Sequence, residues 1–318
     1  MSKPVVTASQ VQSLQSFFGE RLQEDVPMSR YSVINVGGPA DYLVSVTSSE
    51  ELESAVRFLW EEKVPFLLLG GGSNVLISDA GIREVVLLNQ AKNIEFIDEP
   101  GQAPLLFAES GASLGVVSRR AAAKGWSGLE WASGIPGTIG GAVVNNAGAF
   151  GSDTADNLLL AEILHPLEDR IQRSEWSVDQ FGYDYRTSVI KSGLKPAVVL
   201  SATFKLERST PEEVKGKISA IATERKASQP GGPSLGSMFK NPPGDYSGRL
   251  IEKAGLKGTK VGDVEVSRDH GNFFINQGEA TARDIASLIA VVRDVVNEKF
   301  SVELELEIQF IGEWNKEN

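Results

Sequence analysis

The sequence predicts a mixed α/β fold divided into two or three packed units, and three observations carry that prediction. The 318 residues exceed the usual size of one hydrophobic core. The run from Asp41 to Leu69 reads in the order strand, helix, strand, as a βαβ unit does. The hydrophobic pattern then changes after Leu206, where a fresh helix-start signal opens a further unit.

Taken in order, Val11, Leu14, Phe18 and Leu22 share one face of a helical repeat, so residues 9–22 read as an amphipathic helix. "DYLVSV" at 41–46 and "PFLLL" at 65–69 read as strands, with a helix between them that Ser48 and Glu51 open as a capping box. Leu52, Val56, Leu59 and Trp60 form its inward face. "EVVLLN" at 84–89, "PLLFAES" at 104–110 and "AVVLSATFKL" at 197–206 supply further sheet. Thr210, Pro211 and Glu213 occupy the N-cap, N1 and N3 positions of a new helix. After a glycine-punctuated region comes "NFFIN" at 272–276, then a helix from Thr281 with Ile285, Leu288, Ile289, Val292 and Val296 on one face. "VELELEIQFI" at 302–311 alternates as a strand. Val302, Leu304, Leu306, Ile308 and Phe310 face one way, and Glu303, Glu305, Glu307 and Gln309 the other.

Composition narrows the chemistry. A formal charge of -11 disfavours a nucleic-acid binder, which needs a basic face. No stretch has the ~20 apolar residues of a membrane span, and residues 1–20 lack a secretory signal, so the expectation is a cytoplasmic protein without membrane insertion. The absence of cysteine removes disulfides, thiolate metal sites and thiol nucleophiles, and His165 and His270 alone cannot build a histidine-rich zinc site. No metal is expected, and redox chemistry must come from a bound cofactor.

Two glycine-rich stretches stand out. Gly70, Gly71, Gly72, Ser73 and Asn74 follow a buried-looking strand; they fit either a backbone concavity for an anion or a tight loop that needs positive φ. No Gly-Lys-Ser/Thr follows, and the G-x-G-x-x-G spacing at a helix start is missing. The second stretch, "GIPGTIGGAVVNNAGAFG" at 134–151, carries no charge. Gly134, Gly137, Gly140, Gly141 and Gly148 permit close approach of backbone, Thr138 offers a hydroxyl, and Asn145 and Asn146 offer amides. Tight packing between two elements is the plainer reading of such a run. Two such stretches in one α/β unit favour a dinucleotide cradle.

These stretches, with "VGGPAD" at 36–41, "LGGGSNVLISDAGI" at 69–82, "YRTS" at 185–188, "PSLGSMFKNP" at 233–242, "GRLIEKAGLKG" at 248–258 and "LELEIQFIG" at 304–312, closely resemble the UDP-N-acetylenolpyruvoylglucosamine reductase (MurB) family of peptidoglycan synthesis. The match runs collinearly over residues 30–312. The short spacer "VIKSGLKPA" after "YRTS" resembles the shorter form, which lacks an extra loop; Asn35 departs from the basic residue often found before the Gly-Gly pair.

The resemblance implies an α+β architecture: a two-lobed FAD-binding domain of the vanillyl-alcohol-oxidase (PCMH) type, lobes at 1–85 and 86–207, and a C-terminal α+β substrate-binding domain at 208–318. It implies non-covalent FAD held by Gly70 to Asn74 and by Gly134, Gly137, Thr138, Gly140, Gly141, Asn146, Ala147 and Gly148. It implies reduction of UDP-N-acetylglucosamine enolpyruvate to UDP-N-acetylmuramate. NADPH would reduce the flavin, which would pass hydride to the enolpyruvyl β-carbon while Ser237 gives a proton to the α-carbon. Arg186 and Glu307 would flank the enolate, and Tyr185, Lys240 and Asn241 would contact substrate. On periodicity alone Glu307 belongs with Glu303 and Glu305 on a solvated face, and only the resemblance lifts it out. Arg186, Lys191, Lys195, Lys240, Arg249, Lys253, Lys257 and Lys260 concentrate positive charge in the second half, as an anionic UDP-sugar would need. A monomer or weak oligomer is expected. The runner-up is an FAD-dependent oxidase of the same flavin fold, which would not need the Ser237, Arg186 and Glu307 set.

Overall fold

The computed structural model describes residues 5–314. Its first sheet orders the strands Gln23–Pro27, Pro39–Val46, Ile82–Asn89 and Phe66–Leu69 side by side. Pro39–Val46, Ile82–Asn89 and Phe66–Leu69 run parallel, which requires a crossover; the helix Ser49–Glu61 provides it. Leu52, Val56 and Leu59 of that helix pack with Val44, Val46, Val85 and Leu87 of the sheet, and the helix Ala8–Phe18 adds Leu14 and Phe18. At the crossover start, Ser48 Oγ accepts from Glu51 N as expected (3.2 Å), but the box is not reciprocal. The Glu51 carboxylate accepts instead from the Thr47 backbone N (2.7 Å) and hydroxyl (2.8 Å), one residue further out.

The second sheet is antiparallel, in the order Ile171–Ser177, Leu158–Pro166, Val198–Lys205, Leu105–Glu109 and Ile94–Ile97. Only Leu105–Glu109 and Val198–Lys205 were legible by pattern. Leu158–Pro166 escapes because both faces of its far end are covered: Ile163 enters the core of this lobe, with Leu106, Trp131, Trp176 and Phe204, while its neighbour Leu164 enters the core of the first lobe. A strand buried on both faces reads as a continuous apolar run, without alternation. The helix Pro211–Ser228 starts at Thr210, whose hydroxyl accepts from Glu213 N (3.2 Å), and lies on this second lobe. Lys217 bonds Ser127 (3.1 Å) and Arg225 reaches the Ser133 carbonyl (3.4 Å). The expected boundary near 207 thus precedes a helix whose side-chain contacts are with the second lobe.

A three-stranded antiparallel sheet, Lys260–Val261, Val264–Val266 and Phe274–Asn276, carries the helices Ser247–Lys253 and Ala282–Phe300. Its core joins Met238, Phe239, Leu250, Phe274, Ile285 and Leu304, and takes in Ile34, Val36 and Leu76 from the first lobe. The helix Ala282–Phe300 is capped twice. Thr281 Oγ1 accepts from Asp284 N (3.0 Å), and Asp79 of the first lobe accepts from the N–H groups of Ala282 and Arg283, each at 2.9 Å.

The segment 302–311 departs from the expected strand. It pairs at Leu306 with Phe239 and then, as Gln309–Ile311, runs parallel to Val75–Ile77 of the first lobe. It forms no continuous ladder because it changes partners midway. Phe310, expected inward, is 37% exposed.

Candidate active site

The two glycine stretches touch each other. A Cβ on Gly70 would lie 2.6 Å from Thr138 Oγ1, and one on Gly71 would lie 3.3 Å from Gly137 Cα; Ser73 Oγ donates to the Pro136 carbonyl (3.2 Å). Gly72 has φ of +60°, and a Cβ there would strike the Tyr31 carbonyl oxygen. At Gly70, Gly71, Gly140 and Gly148 the need for glycine therefore comes from neighbouring protein atoms, the plainer of the two sequence readings. Gly134 and Gly141 are exposed and stay clear of backbone, so they remain open to a ligand.

The N–H groups of Gly71, Gly72 and Ser73 donate in no turn or loop hydrogen bond among the described residues. Three successive unpaired donors around a positive-φ glycine form a concavity suited to a diphosphate. Thr138 caps a short helix, Ile139–Asn145, that the sequence pattern concealed among glycines. Asn146 ends that helix in the left-handed region (φ 45°) and is buried. Its side chain is spent on Asp153 Oδ2 (3.0 Å), the Asp184 carbonyl (3.4 Å) and Ala155 N (3.1 Å), and the neighbouring Ala147 is held by its own backbone, its N donating to the Ala142 carbonyl (3.0 Å) and its carbonyl accepting from Thr154 N (2.9 Å).

Arg186 sits in a tight turn closed by Asp184 and Thr187, at φ of +57°. That region is sparsely populated by side chains other than glycine and asparagine. The turn delivers the guanidinium to Glu307, with Nε to Oε1 at 2.9 Å, and a second nitrogen donates to the Gly148 carbonyl at 2.5 Å. Tyr185, 47% exposed, lies under the guanidinium at 5.3 Å from ring centroid to charge. Gly148 thus works through its carbonyl, as a brace for Arg186.

The three glutamates of the tail separate sharply. The side chains of Glu303 and Glu305 are 83% and 72% exposed, whereas Glu307 is 19% exposed. The change of partner along the tail causes this: Glu307 N donates to the Met238 carbonyl (2.9 Å), and Asn74 Nδ2 donates to the Glu307 carbonyl (3.2 Å). Burial pushes the Glu307 carboxyl above the usual range, against the opposing pull of Arg186, Lys191 and Lys240.

Ser237 neighbours Met238, so the backbone pairing sets it one residue from the partner of Glu307. Its hydroxyl is half-buried and bonds no protein group among the described residues, Arg186 and Glu307 included. Asn272 fixes this segment, accepting from Phe239 N (3.0 Å) and donating to the Phe239 carbonyl (2.8 Å). Lys240 pairs with Glu305, and Asn241 Oδ1 accepts from Ser247 N (3.1 Å) at the start of the helix Ser247–Lys253. A separate recess of about 940 Å³, lined by Trp131, Phe150, Leu159 and Ile221, contains none of the sequence-predicted residues. Among the described residues no cluster of metal-ligating side chains occurs.

Comparison with known proteins now bears on this geometry. A family model described as an FAD binding domain matches residues 40–169, and one described as the C-terminal domain of UDP-N-acetylenolpyruvoylglucosamine reductase matches residues 227–311. The chain is 43% identical over 294 residues to the UDP-N-acetylenolpyruvoylglucosamine reductase of Chloroflexus aggregans, covering 91% of this chain and 97% of that one. The chain belongs to the UDP-N-acetylenolpyruvoylglucosamine reductase family. The reductase of Rubrobacter xylanophilus is 44% identical over 290 residues, spanning 91% of this chain and 95% of the relative. A crystal structure of the Thermus caldophilus reductase superposes with a TM-score of 0.75 at 34% identity, over 91% of this chain and 98% of that one.

Membership of the reductase family bears out the expected architecture, an FAD-binding domain followed by a C-terminal α+β domain, with FAD as cofactor. The unpaired donors of Gly71 to Ser73 fit that cofactor. The two histidines lie elsewhere: His165 bonds Ser174 (2.9 Å) and His270 packs in the C-terminal unit. The pattern reading did not single out Lys191, Asn272 or Asp79 for these roles, because their spacing to the residues they serve appears only after folding.

Proposed function

We propose that this chain reduces UDP-N-acetylglucosamine enolpyruvate to UDP-N-acetylmuramate with NADPH as reductant, in the cytoplasm, as a monomer or weak oligomer. The observation that carries the reading is the contact of Arg186 with a buried Glu307, its carboxyl raised by that burial, beside the glycine loops, in a chain of this reductase family. When bound, FAD supplies the two-electron chemistry linking nicotinamide to the enolpyruvyl double bond. Gly71 to Ser73 would hold its diphosphate through backbone N–H groups.

Arg186 would present its planar cationic donors to the substrate carboxylate, so negative charge developing there is stabilised. In its protonated form, which burial favours, Glu307 would donate a hydrogen bond to the same charge without adding its own. Ser237 stands on the neighbouring segment, with a free hydroxyl to give a proton to the α-carbon. Lys240 and Tyr185 would contact the UDP-sugar, with Asn241, which accepts from Ser247 N, supporting the Lys240 segment. No helix among the described residues is long and apolar enough to cross a membrane.

The test is spectroscopic. Purified protein should be yellow, bleach anaerobically with NADPH, and recolour on addition of UDP-N-acetylglucosamine enolpyruvate. Ser237→Ala should leave bleaching nearly intact and slow recolouring by about 10²-fold or more, the size of a lost proton donor. Protein that bleaches but never recolours with this substrate rejects the reading; recolouring by oxygen alone supports an oxidase.

A further inference from the structure

Lys191 lies five residues beyond Arg186 and is half-buried beside it. Its Nζ donates to the Arg186 carbonyl at 2.9 Å. Its own backbone N donates to Ser188 Oγ (3.2 Å), and Ser188, buried, donates to the Val144 carbonyl (2.6 Å) at the end of the helix Ile139–Asn145. The Asp184–Thr187 turn is thereby anchored to the second glycine stretch at one end and to an ammonium group at the other. The anchoring matters because φ of +57° is a strained backbone conformation for a residue that carries a side chain. Without a partner on its carbonyl, the turn would relax and carry the guanidinium away from Glu307 and Gly148.

We propose that Lys191 is a positioning residue of the reductase: its ammonium group holds the carbonyl of Arg186, keeps that turn left-handed, and so fixes the guanidinium against Glu307. This rests on the functional reading above and extends it by one residue. The surroundings agree with it. Burial, and then the neighbouring Lys240, press the Lys191 ammonium below its ordinary range, so the contact is retained at an electrostatic cost. The charged groups facing it are Arg186, Lys240, Glu305 and Glu307.

Lys191→Met keeps the length of the side chain and removes the charge. It should weaken binding of UDP-N-acetylmuramate, measured by titration calorimetry on the FAD-loaded enzyme, about tenfold, the scale of one charge-assisted hydrogen bond. Recolouring by the enolpyruvyl substrate should slow by a similar factor, while bleaching by NADPH changes less than about twofold. Loss of a nearby cation should also shift the alkaline limb of the recolouring rate upward in pH, since Lys191 helps hold the Glu307 carboxyl down. Lys191→Arg should restore much of the loss.

The decisive comparison is made in an Arg186→Ala background, where Lys191→Met should cost nothing further. If it still costs tenfold there, Lys191 acts on the ligand directly and the proposal is overturned. An unaltered Lys191→Met enzyme overturns it equally, with Lys191→Gln serving the same test should the methionine variant not fold. Wild-type protein that does not recolour would instead reject the functional reading itself.

Discussion

Glu307 shows how little a single residue's sequence surroundings say about its state. It alternates with Glu303 and Glu305 in an acidic repeat, yet only Glu307 is enclosed, because the backbone there pairs with Met238 on one side and Asn74 on the other. With its carboxyl raised by burial, Glu307 keeps its proton to higher pH than an ordinary glutamate would allow. The recolouring rate should therefore fall on the alkaline side as Glu307 loses its proton. Glu307→Gln, which keeps a neutral donor in place, should retain most of the rate and remove that limb, whereas Glu307→Ala should lower the rate by about 10²-fold; a limb retained in Glu307→Gln would assign it to another group. The collinear motifs marked Arg186, Ser237 and Glu307 out from their neighbours. Lys191 carried no such mark, because its partner is a backbone carbonyl. The asparagine of the glycine stretch was legible as a residue but not in its use: Asn146 is committed to Asp153 and the Asp184 carbonyl.

At the scale of elements, helix starts were read well because their signals are local. Thr210 and Thr281 both cap as their hydroxyl positions require. Strands were read where one face is wet or a parallel strand is bounded by turns, and missed at Leu158–Pro166, where the two faces serve different cores. The helix Ala282–Phe300 adds a cap that no local pattern contains, the carboxylate of Asp79 about two hundred residues earlier. Asp79→Ala should destabilise the protein by about 1–2 kcal/mol in urea melts, the range of a lost N-cap. Thr281 and its box with Asp284 would remain, so the helix itself should persist by circular dichroism. A change below about 0.3 kcal/mol would show that the first lobe contributes nothing to holding this helix.

At the scale of the whole molecule, the cores do not respect the divisions along the chain. Ile34, Val36 and Leu76 belong to the C-terminal core, and Leu164, Val198 and Leu200 belong to that of the first lobe. Such sharing predicts one cooperative transition. Denaturation followed by tryptophan fluorescence, which draws on Trp126, Trp131 and Trp176 of the second lobe, Trp60 of the first and Trp314 of the C-terminal core, should coincide with that followed by far-ultraviolet circular dichroism. Separate midpoints would mean that the units unfold independently. Sequence pattern conveyed that several units exist but not that they interpenetrate, since pairing between residues two hundred positions apart leaves no periodicity to read.

The parallel pairing of Val75–Ile77 with Gln309–Ile311 also orders events during synthesis. When residue 77 leaves the ribosome its partner has yet to be translated, so this short edge, next to the Gly71–Ser73 loop, must wait until residues 309–311 follow. The nascent amino-terminal half can collapse early. The segment bearing Asn74 acquires its final neighbours only after residues 309–311 have been made.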